Sequence, residues 1–230
     1  MDKFWDGLKH SSAFSFYFDE EGKIIPTEET AYMLYEADVF PFTVFAKELQ
    51  SLNDYCFMLI GQVEQETQER DMEQKEMENR VKMGAAEYEW MISAELETGK
   101  WKWLSDITIP YAVILLYAFL EKTMKYVFHI FEEENRFSER PRIKRPYLYS
   151  WIGGILGMSS EEVQEKYPKA FAILDECRRI RNNFAHECLE GVKLSGDYVS
   201  QERTLSPSFR LIDFINVITF LLNKTEEKYL

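Results

Sequence analysis

The sequence is poor in the residues that break a chain or cross-link it. Its 230 residues include 10 glycines, 7 prolines and 3 cysteines. So few glycines and prolines exclude a turn-rich β-sandwich or barrel and favour long helices. The cysteines, Cys56, Cys177 and Cys188, lack the spacing of metal ligands and are odd in number. They argue against a disulfide framework and predict a cytoplasmic protein, because the cytoplasm is reducing.

Long apolar runs and a secretory leader are missing as well. The N-terminus has no apolar segment behind a basic start. The longest apolar run, 107–120, has 14 residues and contains a proline, so we expect a buried helix there and no membrane partner. Phosphate-binding glycine loops, zinc patterns and nucleophile elbows are also missing, so no cofactor and no metal is expected.

Basic charge is scarce in the first part of the chain. The net charge is −13, and residues 1–100 carry 22 acidic and 9 basic side chains, whereas residues 101–230 carry 18 of each. This asymmetry predicts an acidic N-terminal region over 1–100 and a second region, a helical bundle, over 101–230. Because acidic surfaces repel phosphate, we expect any nucleic-acid path to lie in the second region.

What the chain does have is apolar and aromatic material, at 46% and 15% of its residues, which is enough for a sizeable core. The patterns predict an all-α fold with one or two small β-hairpins. One hairpin is expected at 12–27, and 192–206 is a loop or a second hairpin. The helices are expected at 43–98, at 107–134, from Ser159 with a capping signature, at 169–189 and at 208–224.

Two details of this pattern concern the first long helical stretch. Residues 43–98 form one helix or two stacked end to end, with a break near Gly84, and 99–106 is expected to be a loop. The acidic character of this stretch is typical of a solvated helix face. A projecting two-helix arm or a partner-binding coil is the alternative.

A basic connector follows the second long helix, at residues 135–147. It holds one acid and five bases, and aromatic side chains come directly after it. Its bases are Arg136, Arg140, Arg142, Lys144 and Arg145, and the aromatics are Tyr147, Tyr149 and Trp151. Bases beside aromatics are what single-stranded RNA needs for phosphate contact and stacking, so we expect Arg140, Arg142 and Arg145 to bind substrate. A solvated loop with aromatics anchored in the core is the alternative.

The helix predicted at 169–189 carries an unusual polar set. The chain has 3 histidines, and one of them, His186, follows Arg178, Arg181 and Asn182 on this helix. At 100° per residue, Arg178, Asn182 and His186 lie within about 80° of one another, with Arg181 at the edge of the stripe. Two cations, an amide and an imidazole in one stripe suit the binding of an anion.

The stretch Arg181-Asn182-Asn183-Phe184-Ala185-His186 resembles the signature motif of the HEPN superfamily. The resemblance spans about residues 105–225. It implies an all-α bundle, a homodimer and a metal-independent endoribonuclease that cleaves RNA by attack of its own 2′-hydroxyl. In that reaction Arg181 holds the phosphate with help from Arg178, and His186 transfers protons. Asn182 orients His186 or the phosphate by hydrogen bonding.

The resemblance also implies a setting. Such ribonucleases act in toxin–antitoxin or phage-defence systems, which predicts an antitoxin or other regulatory protein as a partner. One motif helix supplies one histidine, so a symmetric dimer that apposes two motif helices would supply two. A toxin subgroup has tyrosine two residues after the histidine, where this chain has Cys188. The alternative function is a non-catalytic helical module that binds a protein or a nucleotide.

Glu121 is expected to support this site. It lies on the apolar stripe of the helix at 107–134, where an unpaired carboxylate is costly, so we expect it to contact Arg178 or Arg181. That contact would orient a site residue or serve stability alone. On the second interpretation the two arginines pair with Glu121, Asp175 or Glu176, and His186 favours the C-terminal end of its helix.

Overall fold

The computed structural model describes residues 15–18, 24–27, 35–84, 88–189 and 210–230, with the backbone alone for both strands and for 185–189. Strands β1 (Ser15–Phe18) and β2 (Ile24–Thr27) pair antiparallel, with Ser15 opposite Thr27, so the hairpin predicted at 12–27 is confirmed. The rest of the described chain is helical or connecting, as predicted for an all-α fold. The loop or hairpin expected at 192–206 lies outside the described residues.

Six helices occur within the described ranges. They are α1 (Phe42–Lys82), α2 (Tyr88–Glu133), α3 (Tyr147–Leu156), α4 (Ser160–Lys166), α5 (Pro168–Leu189) and α6 (Leu211–Tyr229). The break expected near Gly84 is confirmed, because α1 ends at Lys82 and Gly84 adopts the left-handed conformation with φ of 69°. Helix α4 begins with the expected capping box between Ser159 and Glu162.

The loop predicted at 99–106 is wrong, because α2 runs through this segment without interruption and includes Pro110. Contacts with α1 hold it in helical form. The hydroxyl of Thr67 donates to the carbonyl of Trp101 over 3.3 Å, and Lys102 pairs with Asp71 at 2.9 Å. Tertiary contacts of this kind override the weak helix propensity of the local sequence.

Helices α1 and α2 lie side by side and not end to end. The hydroxyl of Thr98 donates to the carbonyl of Arg70 over 3.2 Å, while Thr67, earlier in α1, meets Trp101, later in α2. Partner positions thus rise on one helix as they fall on the other, so the two helices form an antiparallel pair. We call residues 52–112 the helical hairpin.

The chain divides into two compact units: the helical hairpin, Leu52–Ala112, and a second unit of Met1–Ser51 with Val113–Leu230, called the bundle here. The boundary predicted at residue 100 is based on charge. It therefore remains a prediction about how charge is distributed over the protein surface. The compact units have other bounds because they reflect packing and not charge.

The later helices pack together in the bundle, as predicted. The ring of Tyr117 on α2 lies 6.4 Å from that of Phe214 on α6, and the hydroxyl of Thr225 lies 3.6 Å from the sulfur of Met124. Helix α6 also packs against α5 and α3. The last helix extends to Tyr229, five residues beyond the predicted end at 224.

Helix α3 carries two glycines at close contacts, one against α2 and one against the segment that follows α3. A methyl group built on Gly154 would lie 2.8 Å from the Phe128 ring, and one on Gly153 would lie 2.9 Å from the carbonyl oxygen of Met158. Neither position has room for a side chain. This close packing sets where Tyr149, also on α3, meets the motif helix.

Among the described helices, α2 is long and apolar enough to cross a membrane by length and composition. Of its most apolar 18 residues, 44% are buried inside the protein. The core helix of a water-soluble protein has the same character, so this is weak evidence for a membrane span. Cytoplasmic localisation stays a prediction.

Candidate functional site

Arg181 on α5 is the best-held residue of the motif. Its Nη2 lies 2.6 Å from Oε2 of Glu121 on α2, and its Nη1 donates to Oδ1 of Asn182 over 2.8 Å. The guanidinium also lies 5.8 Å from the centroid of the Tyr117 ring. The expected contact of Glu121 with a motif arginine is therefore confirmed.

Both partners of this pair remain accessible to solvent. The side chain of Arg181 is 38% exposed and that of Glu121 is 27% exposed. A guanidinium has five N–H donors in a fixed fork, so bonds to one carboxylate and one amide do not use all of them. The arrangement fixes the direction of the guanidinium and keeps it within reach of a phosphate from outside the chain.

Arg178 lies one turn earlier and is held through a second chain of contacts. Its Nη2 lies 3.0 Å from Oδ1 of Asp175, and that same oxygen accepts a hydrogen bond from the Tyr149 hydroxyl over 2.8 Å. Burial and the Asp175 carboxylate raise the pKa of Tyr149. Burial alone would lower the pKa of Arg178, but the bonds to Asp175 and Tyr149 outweigh it and raise that pKa, so Arg178 stays charged.

Sequence reasoning missed Tyr149 as a member of this cluster. Its sequence position places it with the aromatics that follow the basic connector, whereas its hydroxyl donates to Asp175, 26 positions further along the chain. The aromatic itself is buried at 1% exposure, as an anchor for α3 should be. No local signal in the sequence indicates that its hydroxyl faces the motif helix.

His186 lies on the same helix, one turn after Asn182. Residues four apart on a helix are neighbours on its surface, so the described backbone places the Cβ atoms of Asn182 and His186 about 5–6 Å apart. The side chain of His186 lies outside the described part of the chain. Its membership of the site therefore depends on helix geometry.

Helix α5 turns one apolar side towards the core. The buried residues on this side are Phe171, Leu174, Cys177 and Ile180, whereas Ile173 and Phe184 are partly exposed. The polar stripe with Arg178 and Arg181 consequently lies at the edge of the core.

The residues of the basic connector form a separate exposed surface. Arg140 is 84% exposed and pairs with Glu132 at 2.6 Å, and Arg142 is exposed. The guanidinium of Arg145 lies 5.6 Å from the Tyr147 ring centroid. That ring stacks on Trp151, with centroids 6.1 Å apart and planes inclined by 27°. This row of a guanidinium and two aromatic rings suits the stacking of unpaired bases.

Two other bases of the connector are engaged within the chain. Arg136 bonds Glu134 at 2.6 Å and lies 4.5 Å from the ring of Tyr229, and Lys144 lies 3.5 Å from Glu161. No contact among the described residues joins Arg140, Arg142 or Arg145 to the motif arginines. Their link to the site is helix α3, which begins at Tyr147 and carries Tyr149.

The described residues include no candidate metal centre. Within them, no group of three or more His, Cys, Asp or Glu side chains could hold a metal ion. Cys56 and Cys177 are buried free thiols, and burial raises the pKa of Cys56 to about 11, so this thiol is protonated and inert at neutral pH. On the motif helix, Arg178 and Arg181 are cations that could bind an anion.

Comparisons with protein-family models, with curated proteins and with solved structures find no match to this chain. The functional argument therefore depends on the motif residues and the geometry described above.

Proposed function

We propose that this protein is a metal-independent endoribonuclease of HEPN type, with a bundle of that type around the motif helix. The observation that carries the proposal is the position of Arg181, which Glu121 and Asn182 hold five residues before His186 on the same helix. Cleavage by a 2′-hydroxyl requires a cation for the phosphate and a group that transfers protons, and this helix carries both.

Each residue then has a role that its chemistry allows. Arg181 binds the phosphate and stabilises charge on the phosphoryl oxygens, with Arg178 beside it. Asn182 fixes the direction of the Arg181 guanidinium. His186 transfers protons to or from the 2′-hydroxyl and the leaving 5′-oxygen, which yields a 2′,3′-cyclic phosphate.

Stability alone explains this arrangement less well. A partly exposed, hydrogen-bonded ion pair such as Arg181–Glu121 adds at most about 2 kcal/mol to the free energy of unfolding. So small a gain gives little reason to place two arginines, an asparagine and a histidine on one helix. A site for an anion gives such a reason.

The same proposal includes a cytoplasmic homodimer that apposes two motif helices, because each chain contributes one motif histidine. It also includes a regulator, an antitoxin or another protein of a phage-defence system, since an unregulated ribonuclease harms its own cell.

The decisive experiment is an RNA cleavage assay on mixed RNAs with a metal chelator present. We expect cleavage by the wild type, products that end in 2′,3′-cyclic phosphate, and loss of cleavage with His186→Ala. The matched control is His129→Ala, which removes an exposed histidine elsewhere in the bundle. Cleavage that survives in His186→Ala, or no cleavage by the wild type, contradicts the proposal.

The dimer is tested by light scattering at micromolar concentration. We expect a dimer. In a separate binding assay, His186→Ala should still bind RNA, because Arg178 and Arg181 remain. A monomer with full ribonuclease activity excludes a composite site built from two chains.

The substrate path is tested by replacing Arg140, Arg142 and Arg145 together with alanine. We expect weaker RNA binding and a flatter salt dependence, by about 0.7 in logarithmic slope for each lost phosphate contact. The control replaces Lys75, Arg80 and Lys82 of the acidic region, which should leave both unchanged. If the triple variant of the connector leaves RNA binding and its salt dependence unchanged, the connector is only a loop.

An interaction module is the second candidate function, and one observation favours it. The helical hairpin exposes an apolar stripe on α2 that covers about 80° of the helix surface. Its members are Tyr88, Ile92, Leu96 and Trp103. A water-facing stripe of this kind is typical of a protein-binding surface. This function alone predicts no RNA cleavage by the wild type in the assay above.

A further inference from the structure

The apolar stripe of the helical hairpin runs nearly parallel to the axis of α2. Steps of four, four and seven residues along the chain separate Tyr88, Ile92, Leu96 and Trp103. At 100° per residue these steps keep all four within about 80° around the helix, and at 1.5 Å per residue the stripe is about 22 Å long. A surface this long and narrow matches the apolar face of another helix, which repeats at the same spacing.

A gap in the stripe lies at Gly99. A methyl group built on Gly99 would meet no atom within 4 Å. Leu96 and Trp103 lie on the same face before and after it, and their side chains are 70% and 59% exposed. Two projecting side chains therefore flank a stretch of bare backbone. Packed helices fill such a depression with a side chain of the partner helix.

Acidic side chains border the stripe on both edges. Around α2, Glu95 and Asp106 lie within about 20° of Tyr88 at one edge, and Glu89 lies about 20° beyond Leu96 at the other. All three acids are exposed. None of their carboxylates has a hydrogen bond or an ion pair with another residue that the structure describes. They are available to cations from outside the chain.

The bases nearest to the stripe are engaged within the chain. Lys100 lies 3.3 Å from Glu97, and Lys102 lies 2.9 Å from Asp71. Residues 52–112 together carry 13 acidic and 6 basic side chains. The charge that this surface presents to a partner is therefore negative, which favours a partner with basic residues.

We infer that the apolar stripe binds an amphipathic helix of a partner protein, with lysine or arginine on both sides of the partner's apolar face. The apolar residues of that helix pack against Leu96, Trp103 and the gap at Gly99. Its cations pair with Glu89 and Glu95. The inference names the partner of the interaction module and uses no residue of the motif helix, so it is independent of the ribonuclease proposal.

Two other occupants fit the stripe less well. A second copy of the stripe would oppose acid with acid, and like charges across an interface are unfavourable. An anionic lipid surface would likewise face the acids at both edges, whereas such surfaces attract basic segments.

The test uses the full chain and three labelled helical peptides of about 18 residues, long enough to cover the stripe. All three carry leucines at the spacing of the stripe, and the positions beside the leucines are lysine, glutamate or glutamine. Fluorescence anisotropy measures binding. We expect saturable 1:1 binding of the lysine peptide and at least about tenfold weaker binding of the glutamate peptide.

A fourth peptide controls for attraction between net charges alone. It has the composition of the lysine peptide in an order that forms no apolar face. We expect it to bind at least about tenfold more weakly than the lysine peptide, because it cannot pack against the stripe.

Charge reversal tests the edges of the stripe. The combined variant Glu89→Lys, Glu95→Lys and Asp106→Lys should invert the order, so that the glutamate peptide binds best. The matched control changes three exposed acids of α1 to lysine and alters the net charge equally. They lie about 140–200° from Thr67, on the side of α1 that points away from α2. These acids are Asp54, Glu69 and Glu76. This control should keep the original order.

Two single variants test the apolar contacts. Leu96→Gln and Trp103→Gln should each weaken binding of the lysine peptide by about tenfold, as loss of an interface anchor does. Because both side chains are largely exposed, the Tm of each variant should stay at the wild-type value. Met72→Gln removes an exposed apolar side chain of α1 and should leave binding unchanged.

Four results would overturn the inference. The first is no saturable binding of the lysine peptide, and the second is an order of peptides that charge reversal at the edges leaves unchanged. The third is conversion of a dimer to a monomer by Trp103→Gln, which would assign the stripe to a second copy. The fourth is binding of anionic phosphatidylserine vesicles that Trp103→Gln abolishes, which would assign it to a lipid surface. RNA cleavage, or its absence, bears on none of these results.

Discussion

The bundle and the helical hairpin are both helical, yet they are held together differently. In the bundle, aromatic and aliphatic side chains are fully buried, among them Leu116, Phe214 and Ile152. In the helical hairpin, threonines such as Thr67 and Thr98 are buried, and their hydroxyls bond carbonyls of the opposite helix. Burial of apolar area stabilises the first unit far more than such hydrogen bonds stabilise the second.

The outer surface shows the same contrast. The helical hairpin exposes large apolar side chains, including Trp90, Leu96 and Trp103. Its charged face is supported by local pairs, such as Arg70 with Glu66 at 3.1 Å and with Glu73 at 2.7 Å. Solvent screens such exposed pairs, so they stabilise the helix only slightly. The comparison predicts that the helical hairpin opens at lower free energy than the bundle.

The largest expected effect is loss of a bundle aromatic. Phe214→Ala should lower the free energy of unfolding by about 3–5 kcal/mol, because it leaves a cavity in a fully buried site. Leu96→Ala, on the exposed stripe of the helical hairpin, should change it by less than about 0.5 kcal/mol. Urea unfolding measures both, and equal losses would contradict the contrast.

Two glycines test packing density in the two units. Gly153→Ala should destabilise by about 1–3 kcal/mol, because its methyl group would meet backbone oxygens at 2.9 and 3.0 Å. Gly99→Ala should stabilise by about 0.5–1 kcal/mol, because no described atom lies within 4 Å of the new methyl group and alanine favours helix. Thermal unfolding of the two variants should shift in opposite directions. A lower Tm with Gly99→Ala would contradict the expected difference in packing between the two units.

The Arg181–Glu121 pair joins two helices within the bundle. Glu121→Gln should lower the free energy of unfolding by about 1–2 kcal/mol, since it removes the negative charge and leaves Arg181 only a neutral amide oxygen as acceptor at a partly exposed site. Glu48→Gln, which breaks the more exposed pair with Lys122, is the control and should lower it by about 0–1 kcal/mol. Chemical denaturation of both variants is the measurement, and a larger loss with Glu48→Gln is the result that contradicts this ranking.

The smallest effect is expected inside the helical hairpin. Thr98→Val removes the bonds to the carbonyls of Arg70 and Ala94 and should cost about 0.5–1.5 kcal/mol. Hydrogen exchange should accelerate at amides of 52–112 and stay unchanged in the bundle. Ser51→Ala, which removes a hydroxyl bond within one helix turn, is the control. Uniform acceleration across the chain would mean that the two units open together.

Local chemistry explains which features the sequence could predict. The break near Gly84, the capping box at Ser159 and the hairpin at 12–27 each depend on residues a few positions apart. The contact of Glu121 with Arg181 was predictable because a carboxylate on an apolar stripe requires a cation.

Longer-range features could not be predicted in this way. The sequence predicts a loop at 99–106, whereas in the structure this segment is helical and contacts Thr67 and Asp71 of α1. The bond from Tyr149 to Asp175 depends on how α3 packs, which no sequence pattern specifies. The roles of His186 and of a second chain stay predictions, because they depend on groups beyond the described side chains.

The distribution of tryptophan determines what intrinsic fluorescence can report. Of the 5 tryptophans, Trp90, Trp101 and Trp103 lie in the helical hairpin, and Trp151 stacks on Tyr147 in the bundle. Emission of the native chain is therefore weighted towards the helical hairpin. With those three and Trp5 changed to phenylalanine, the remaining emission comes from Trp151 and becomes a quenching probe for any base that stacks beside Arg145.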